Sequence, residues 1–422
     1  MEQMEQLERA ARKQAGPRWG EPERTEPGWT EPKRTDAGAA ELEQIQAALA
    51  RPEPTPAVER ILHKALDGLR LSYEEGCVLM REGDLGSLGL VAGEITRRLH
   101  PDNIVTFVVD RNINYTNVCV TDCKFCAFYR HEKDPDAWVL SHDEILLKVG
   151  ELARGGGTQV LIQGGHHPKL PFEYYTEMCR LIKRHYPEIA IHSFSVSEIR
   201  HFARAYKMPV REVVERLKEA GLDSVPGAGG EVLADRPRRI IAPLKDPAKD
   251  WLETYEIIAD AGLRGSSTMM FGHVETLEER VEHLLRLREI QDRTAAKHGV
   301  GVFWSFICWT FQPGNTPLVA EGLHNGVTTS SYEYLRTLAV ARIFLDNIPN
   351  IQASWVTQGV RIGQISLDCG CNDFGGTMME ENVVAAAGTV FHATPSDAIR
   401  LIRDTGRIPA TRNTFYEILE TY

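Results

Sequence analysis

The regular alternation of short apolar runs with longer amphipathic ones restricts the fold of this chain more than any other feature. Runs such as "IVTFVV", "TQVLIQGG", "IAIHSFS" and "SSTMMFG" have the length of strands. Helix-like stretches of roughly 10–20 residues separate them, which is the pattern of parallel βαβ units. Six to eight such units predict an α/β protein built on a (β/α) TIM-type barrel, complete or partial.

The same pattern predicts four parts. Residues 1–55, with their Glu-Pro and Arg-Thr repeats, have the composition of a disordered, low-complexity tail. Residues 56–104 form a helical preface, 105–370 the barrel, and 371–422 a C-terminal helical extension that packs on it. Within the barrel, Ser141 and Glu144 predict a capping box at the start of a helix. "IQASW" and a short "ISLDCG" are the last expected strands.

Charge and apolar content argue against several classes of function. The net charge is -11 and the pI is near 5.8, without a long Lys/Arg block, so we expect no nucleic-acid partner. No apolar run approaches the ~20 residues of a membrane span. The start, "MEQMEQLERAARKQ", has no apolar signal core, and the eight cysteines are expected to be reduced. These features favour a cytoplasmic protein.

Three of the cysteines, Cys119, Cys123 and Cys126, lie within eight residues directly after an expected strand. In a (β/α) barrel, chemistry is located in the loops at the C-terminal ends of the strands. A [4Fe–4S] cluster needs four attachment points, so three thiolates would leave one iron open to a small molecule. Two alternatives are a structural zinc site, which requires four protein ligands, and a chance grouping of thiols.

This spacing, with Phe125 before the last cysteine, resembles the radical S-adenosylmethionine (SAM) superfamily. The resemblance implies that SAM binds the open iron and is cleaved to a 5′-deoxyadenosyl radical. It also implies that Gln163, Gly164 and Gly165, in "QGG", approach the methionyl group, where glycine permits close backbone contact. Glu231, in "GAGGE", corresponds to a polar contact to the cofactor.

Longer stretches, among them "DRNINYTNVC", "TMMFGHVET", "WTFQPGNT" and "NDFGGTMMEENV", are similar to the dehypoxanthine futalosine cyclases of a menaquinone pathway. This resemblance implies abstraction of a ribose C4′ hydrogen and addition of that carbon to a benzoate ring. Aminofutalosine synthases and deazaflavin-precursor synthase subunits share much of the pattern and remain alternatives. A reductant such as flavodoxin or ferredoxin is implied as partner, and the oligomeric state stays open.

The reaction also requires a base and donors for the substrate. Four side chains near expected strand ends are candidates for the base: His192, Glu198, His273 and Asp373. Five are candidates for substrate contact: Ser193, Ser195, Thr268, Trp309 and Gln312. Each also has an ordinary structural explanation, such as a core histidine, a helix cap or aromatic packing.

Overall fold

The structure is a computed structural model that describes residues 55–422. The expected tail of residues 1–55 lies outside the described part, except for Thr55. Eleven strands form one sheet, in the order β11-β10-β1-β9-β8-β7-β6-β5-β4-β3-β2. The strands are β1 Ile104–Val108, β2 Asp110–Asn114, β3 Gln159–Gln163, β4 Ala190–Ser193, β5 Ser224–Val225, β6 Arg264–Phe271, β7 Phe303–Thr310, β8 Asn350–Gln352, β9 Asp373–Gly376, β10 Ile408–Arg412 and β11 Ile418–Thr421.

Helices connect these strands and cover the outside of the sheet. They are α1 Pro56–Leu66, α2 Tyr73–Glu82, α3 Leu85–Leu99, α4 His142–Arg154, α5 Phe172–His185, α6 Val196–Ala205, α7 Val210–Glu219, α8 Asp235–Ile241, α9 Ala248–Asp260, α10 Leu277–His298, α11 Pro317–Ala320, α12 Ser331–Phe344, α13 Trp355–Gln358, α14 Val360–Ser366 and α15 Pro395–Arg403. All strand pairs are parallel except β10 with β11. The prediction of a TIM-type α/β architecture is confirmed.

The sheet curls round so that β2, at one end of the strand order, follows directly on β1, the third strand from the other end. Only Val109 separates these two strands. β1 pairs with β9, whereas β2 pairs with β3 at the other end of the strand order. The Thr377 amide donates to the Val108 carbonyl (3.0 Å), and the Met379 amide to the Asp110 carbonyl (3.1 Å). The strands therefore surround a common interior, and loops from opposite sides of the sheet face one another across it.

The helical preface packs on the barrel instead of standing apart. In α1, Val58, Ile61 and Leu62 are buried in the main apolar core. Helix α3 packs on α12, and the Thr96 hydroxyl donates to the Gly370 carbonyl (2.9 Å). The predicted Ser141/Glu144 capping box is present at the start of α4.

The prediction of a strand at "ISLDCG" is wrong. Helix α14 runs through Ser366, and a 3₁₀ turn continues to Cys369, ending at Gly370 with φ 113°. The alternation of Ile365, Leu367 and Cys369 resembled a strand, but burial of Leu367 and Cys369 beside α3 is satisfied by a helical turn. The last strand of the barrel, β9, begins only at Asp373.

Residues 371–422 were expected to form a helical extension, but they also contain strands of the main sheet. Beside α15 they contribute β9, β10 and β11 to the same sheet. Residues 412–416, which run from the last residue of β10 into the turn before β11, form a segment named here the floor turn. None of the helices in residues 55–422 combines the length and apolarity that crossing a bilayer requires.

Candidate functional site

A cavity of about 370 Å³ occupies the interior of the barrel. At its C-terminal end, the mouth, it is lined by the cysteine loop and by the loops that follow β3 and β5. At its N-terminal end, the floor, it is lined by the first residues of β2, β3 and β7 and by the floor turn. The cavity thus joins two chemically different ends, and its volume is in the range of small-molecule sites.

The cysteine loop is held in a defined conformation at the mouth. The Cys119 amide donates to the Arg130 carbonyl (2.9 Å), and the Lys124 amide to the Ile241 carbonyl (2.8 Å). Arg130 Nη1 in turn donates to the carbonyls of Ala127 (3.1 Å) and Tyr129 (2.8 Å). These hydrogen bonds fix the backbone on which the three thiols are carried.

All three thiols of the loop line the cavity, and none of the other five cysteines does. The sulfurs of Cys119 and Cys123 lie 2.9 and 3.6 Å from the Thr121 hydroxyl. Burial raises the pKa of Cys123 to about 12 and also raises the pKa of Cys126. Thiolates here need a compensating positive charge, such as iron. Three thiol donors beside open space fit a [4Fe–4S] cluster with one iron free for another ligand.

The glycines after β3 bring backbone close to this loop. A Cβ on Gly165 would lie 2.1 Å from the Val118 carbonyl oxygen and 3.0 Å from Cys119 Cβ. A Cβ on Gly164 would lie 2.5 Å from the Tyr115 ring. Both positions thus require glycine, and both line the cavity with the preceding Gln163. The backbone forms a wall beside Cys119 that a small ligand can approach closely.

Glu198 lies on the cavity wall and is fully engaged by four donors. Its Oε1 accepts from the Tyr115 hydroxyl (2.7 Å) and the Gly164 amide (3.1 Å). Its Oε2 accepts from the amide and the hydroxyl of Ser195, both at 2.7 Å, as a capping box of α6. Burial raises the pKa of Glu198. This carboxyl joins the ends of β2, β3 and β4 and leaves no lone pair directed at a ligand.

Glu231 and Lys245 form a buried pair at the mouth. Lys245 Nζ donates to Glu231 Oε1 (2.9 Å) and lies 5.3 Å from the centre of the Phe125 ring. Arg238 Nη1 lies 3.6 Å from the other Glu231 oxygen and donates to the carbonyls of Gly229 (3.1 Å) and Gly230 (2.6 Å). Burial lowers the pKa of Lys245, but the charges of Cys123 and Glu231 outweigh it, so the pKa is raised. The mouth therefore carries a fixed cation next to the thiols.

His192 lies on β4 and projects into the cavity between two serines. Its Nδ1 is 2.7 Å from the Ser224 hydroxyl, and its Nε2 is 3.5 Å from the Ser266 hydroxyl. Burial, with a smaller contribution from the charge of Arg412, lowers the pKa of His192 to about 3. The imidazole is therefore neutral at physiological pH and can accept a proton.

Most of the residues expected from the sequence meet in this cavity. Those that line it are Cys119, Cys123, Cys126, Phe125, Gln163, Gly164, Gly165, His192, Ser195, Glu198, Glu231, Thr268 and Trp309. Thr268 is already engaged, since its hydroxyl donates to the Gly227 carbonyl (2.9 Å).

Four expected residues do not line the cavity. His273 is buried against Glu275 Oε2 (3.0 Å) after β6. Ser193 is fully buried, and Gln312 turns back to the Thr310 carbonyl (3.0 Å). Asp373 is fully buried and paired with Arg412. Each follows a strand or lies at its end, but its side chain packs into the wall or the surrounding layer.

The sequence reasoning missed the floor of the cavity. Asp110, Asn112 and Asn114 alternate along β2 and all line the cavity. Burial raises the pKa of Asp110 to about 6, and its Oδ1 accepts from the Met378 amide (2.9 Å). The polar alternation in "DRNIN" was a usable signal for an inward face. Arg412 and Lys245 have no comparable local pattern.

Comparisons with known proteins agree with this geometry. The family model described as the Radical SAM superfamily matches residues 113–287, and that of the CofH/MqnC C-terminal region matches residues 300–422. The chain is 46% identical to cyclic dehypoxanthine futalosine synthase of Streptomyces coelicolor over 86% of this chain and 89% of the relative. It is 40% identical to aminodeoxyfutalosine synthase of Thermus thermophilus over 86% of this chain and 95% of that relative. HydG, a maturase of the [FeFe]-hydrogenase, has the same fold, with a TM-score of 0.65 at 16% identity over 88% of this chain and 79% of HydG.

Proposed function

We propose, because this chain belongs to the radical SAM superfamily, that it cyclises dehypoxanthine futalosine in menaquinone biosynthesis. The ribose C4′ hydrogen of the substrate would pass to the 5′-deoxyadenosyl carbon, and C4′ would bond to a carbon of the benzoate ring. That ring carbon then loses its hydrogen as a proton, and the remaining electron would return to the oxidised cluster. The product is two hydrogens lighter than the substrate. Greater identity to a cyclic dehypoxanthine futalosine synthase than to an aminodeoxyfutalosine synthase supports this choice.

The mouth of the cavity holds the cofactors in this proposal. Cys119, Cys123 and Cys126 would be the protein ligands of a [4Fe–4S] cluster, and the Gly164–Gly165 backbone with Glu231 would contact SAM. When bound, these groups supply a one-electron cleavage of SAM that yields a hydrogen-abstracting carbon radical. The electron donor is expected to be a small reductant such as flavodoxin or ferredoxin.

The protein's own contribution is to position and enclose the substrate. Hydrogen abstraction requires the C4′ hydrogen within a few ångströms of the abstracting carbon, so the ligand must be held along the cavity axis. Phe125 and Trp309 line this space and exclude water from it. Glu198 does not react, because all its lone pairs are used to hold the Gly164 backbone and the start of α6.

His192 accepts the ring proton in this proposal. Of the four residues expected as a base, His192 combines a position in the cavity with a ring that is neutral and not ion-paired. A pKa of about 3 makes it a weak base. The ring carbon that is regaining aromaticity is a strong acid, so a weak base at the correct position suffices.

A single arrangement carries the proposal: three thiols and a neutral imidazole face the same cavity. The test is an anaerobic assay of the iron- and sulfide-reconstituted, reduced protein with SAM and dehypoxanthine futalosine, followed by mass spectrometry. We expect 5′-deoxyadenosine together with a product two hydrogens lighter than the substrate. Deoxyadenosine without that product would contradict the cyclase and favour another radical reaction, such as aminofutalosine synthesis. No deoxyadenosine from a protein with an intact cluster would contradict radical SAM chemistry.

A further inference from the structure

The floor turn closes the N-terminal end of the cavity from inside the barrel. The Thr414 hydroxyl donates to Gln159 Oε1 (2.7 Å) at the start of β3. Phe415 packs edge-on against Trp304, with ring centres 5.4 Å apart, near the start of β7. Because three strands, β4, β5 and β6, separate β3 from β7 in the sheet, the turn crosses the barrel. Arg412, Thr414 and Tyr416 of this turn line the cavity and form its floor.

Arg412 supplies a positive charge to that surface. Its side chain is only 4% exposed and lines the cavity. Nε donates to Asp373 Oδ2, and Nη1 donates to the Asn413 carbonyl (3.1 Å). Within residues 55–422, Nη2 has no hydrogen-bond partner in the structure. A guanidinium has five N–H donors in a planar fork, so part of the fork remains available.

The surroundings of Arg412 hold the guanidinium in one orientation. The Tyr416 ring stacks on it, with the guanidinium carbon 3.9 Å from the ring centre. Asp373 is itself held by the Thr106 hydroxyl (2.9 Å) and the Gly375 amide (2.6 Å), and does not line the cavity. Asp373 thus occupies Nε, and the Asn413 carbonyl takes one hydrogen of Nη1, so within residues 55–422 Nη2 and the second Nη1 hydrogen have no partner. Such a preorganised fork suits the two oxygens of a carboxylate.

Lys245, the other cation that lines the cavity, lies at the opposite end, the mouth. Lys245 is paired with Glu231 and lies over Phe125, next to the cysteine loop. Arg412, in contrast, lines the floor of the same cavity into which His192 projects, and its charge contributes to the lowered pKa of His192. An acidic group bound at Arg412 would therefore hold an attached ring near His192, away from the mouth.

We propose that Arg412 binds the carboxylate of an aromatic-acid substrate at the floor of the cavity, with Asp373 and Tyr416 as positioning residues. This inference rests on the cyclase proposal, whose substrate carries a benzoate. It gives the floor turn a role in specificity: the turn selects an acid over a neutral aromatic ring and directs the ring towards His192.

The test measures binding without turnover. The reconstituted protein, with its cluster oxidised and SAM present, is titrated calorimetrically with dehypoxanthine futalosine and with its benzamide analogue. A charge-assisted pair predicts about 10- to 100-fold tighter binding of the acid. Arg412→Gln should bring that ratio close to one with little change for the amide. Arg412→Lys, which keeps the positive charge but not the planar guanidinium, should retain part of the preference for the acid over the amide.

Arg264→Gln is the matched control, because Arg264 stacks on Trp304 (5.0 Å) near the same end of the barrel but does not line the cavity. It should leave the ratio unchanged. Equal binding of acid and amide by the wild-type protein would overturn the subsite alone and needs no variant to fold. An unchanged ratio in Arg412→Gln would also overturn it. Binding of neither ligand would overturn the cyclase proposal, and the subsite with it.

Discussion

The mouth and the floor of the cavity are built in opposite ways. At the mouth, one short loop carries all three thiols, and nearby glycines and Glu198 shape the backbone beside them. At the floor, the polar groups come from distant parts of the chain: Asp110 from β2, His192 from β4 and Arg412 from β10. The mouth suits cofactors shared by a whole superfamily, whereas the floor suits one particular substrate. Changes at the two ends should therefore affect different steps.

The largest effect is expected at the mouth. Cys126→Ala removes one of the three proposed cluster ligands, so formation of 5′-deoxyadenosine should fall below detection, with loss of the cluster absorption. Cys179→Ala is the control, because Cys179 is buried in α5 and does not line the cavity. Full deoxyadenosine formation by Cys126→Ala would show that the loop does not hold the cluster.

A smaller and more selective effect is expected at His192. His192→Gln should lower cyclised product by about 10²- to 10⁴-fold, the usual contribution of a general base. Deoxyadenosine release should decrease far less, because abstraction takes place before the proton is lost. Since the imidazole is neutral above a pKa of about 3, His192 should cause no loss of rate between pH 6 and 8.

His185→Gln, an exposed histidine at the end of α5, is the control for that variant. If product and deoxyadenosine fell in the same proportion in His192→Gln, His192 would act on binding or abstraction, and the division of labour between floor and mouth would fail.

The smallest of these effects concerns stability at the floor. The folded pKa of Asp110 is about 6, against an ordinary value of 3.8, so the protonated carboxyl is favoured in the folded state. Its contribution to the free energy of unfolding is present below pH ~3.8 and is lost as the pH rises through 6, by roughly 3 kcal/mol. Asp110→Asn should remove this pH dependence.

Urea unfolding of the wild type and Asp110→Asn, measured in parallel from pH 4 to 8, checks this value. The difference between the unfolding free energies of the two proteins should change by roughly 3 kcal/mol between pH 4 and pH 8. A constant difference would mean that water or a counter-charge solvates Asp110, and the floor would then be less dry than the structure indicates.

Local patterns were sufficient to predict much of the molecule. Alternating strands and helices predicted the barrel-type α/β fold, and Ser141 with Glu144 predicted the start of α4. These features depend on neighbours within a few residues, so the sequence contains them directly. The pattern failed at "ISLDCG", where short alternating apolar residues fit a strand and a helical turn equally well and packing against α3 selected the helix.

The direction of individual side chains was harder to predict. His192 and His273 both belong to strand ends, yet one lines the cavity and the other pairs with Glu275 in the wall. Asp373, expected as a base, is neutralised by Arg412, a residue 39 positions later in the chain. A strand-end position narrows the choice of functional residues, but the partner that each side chain meets decides its role.

The sequence by itself determined the cysteine loop, the glycine-rich wall beside it and the α/β class, because each depends on residues adjacent in the chain. Only the tertiary structure decided the floor. β2 continues from β1, which pairs with β10, so that Asp110 and Arg412 line the same cavity. The floor turn contacts β3 and β7 at once. Such contacts join segments that are far apart in the chain. The charges of Asp110 and Arg412 interact strongly only because folding buries both side chains away from water.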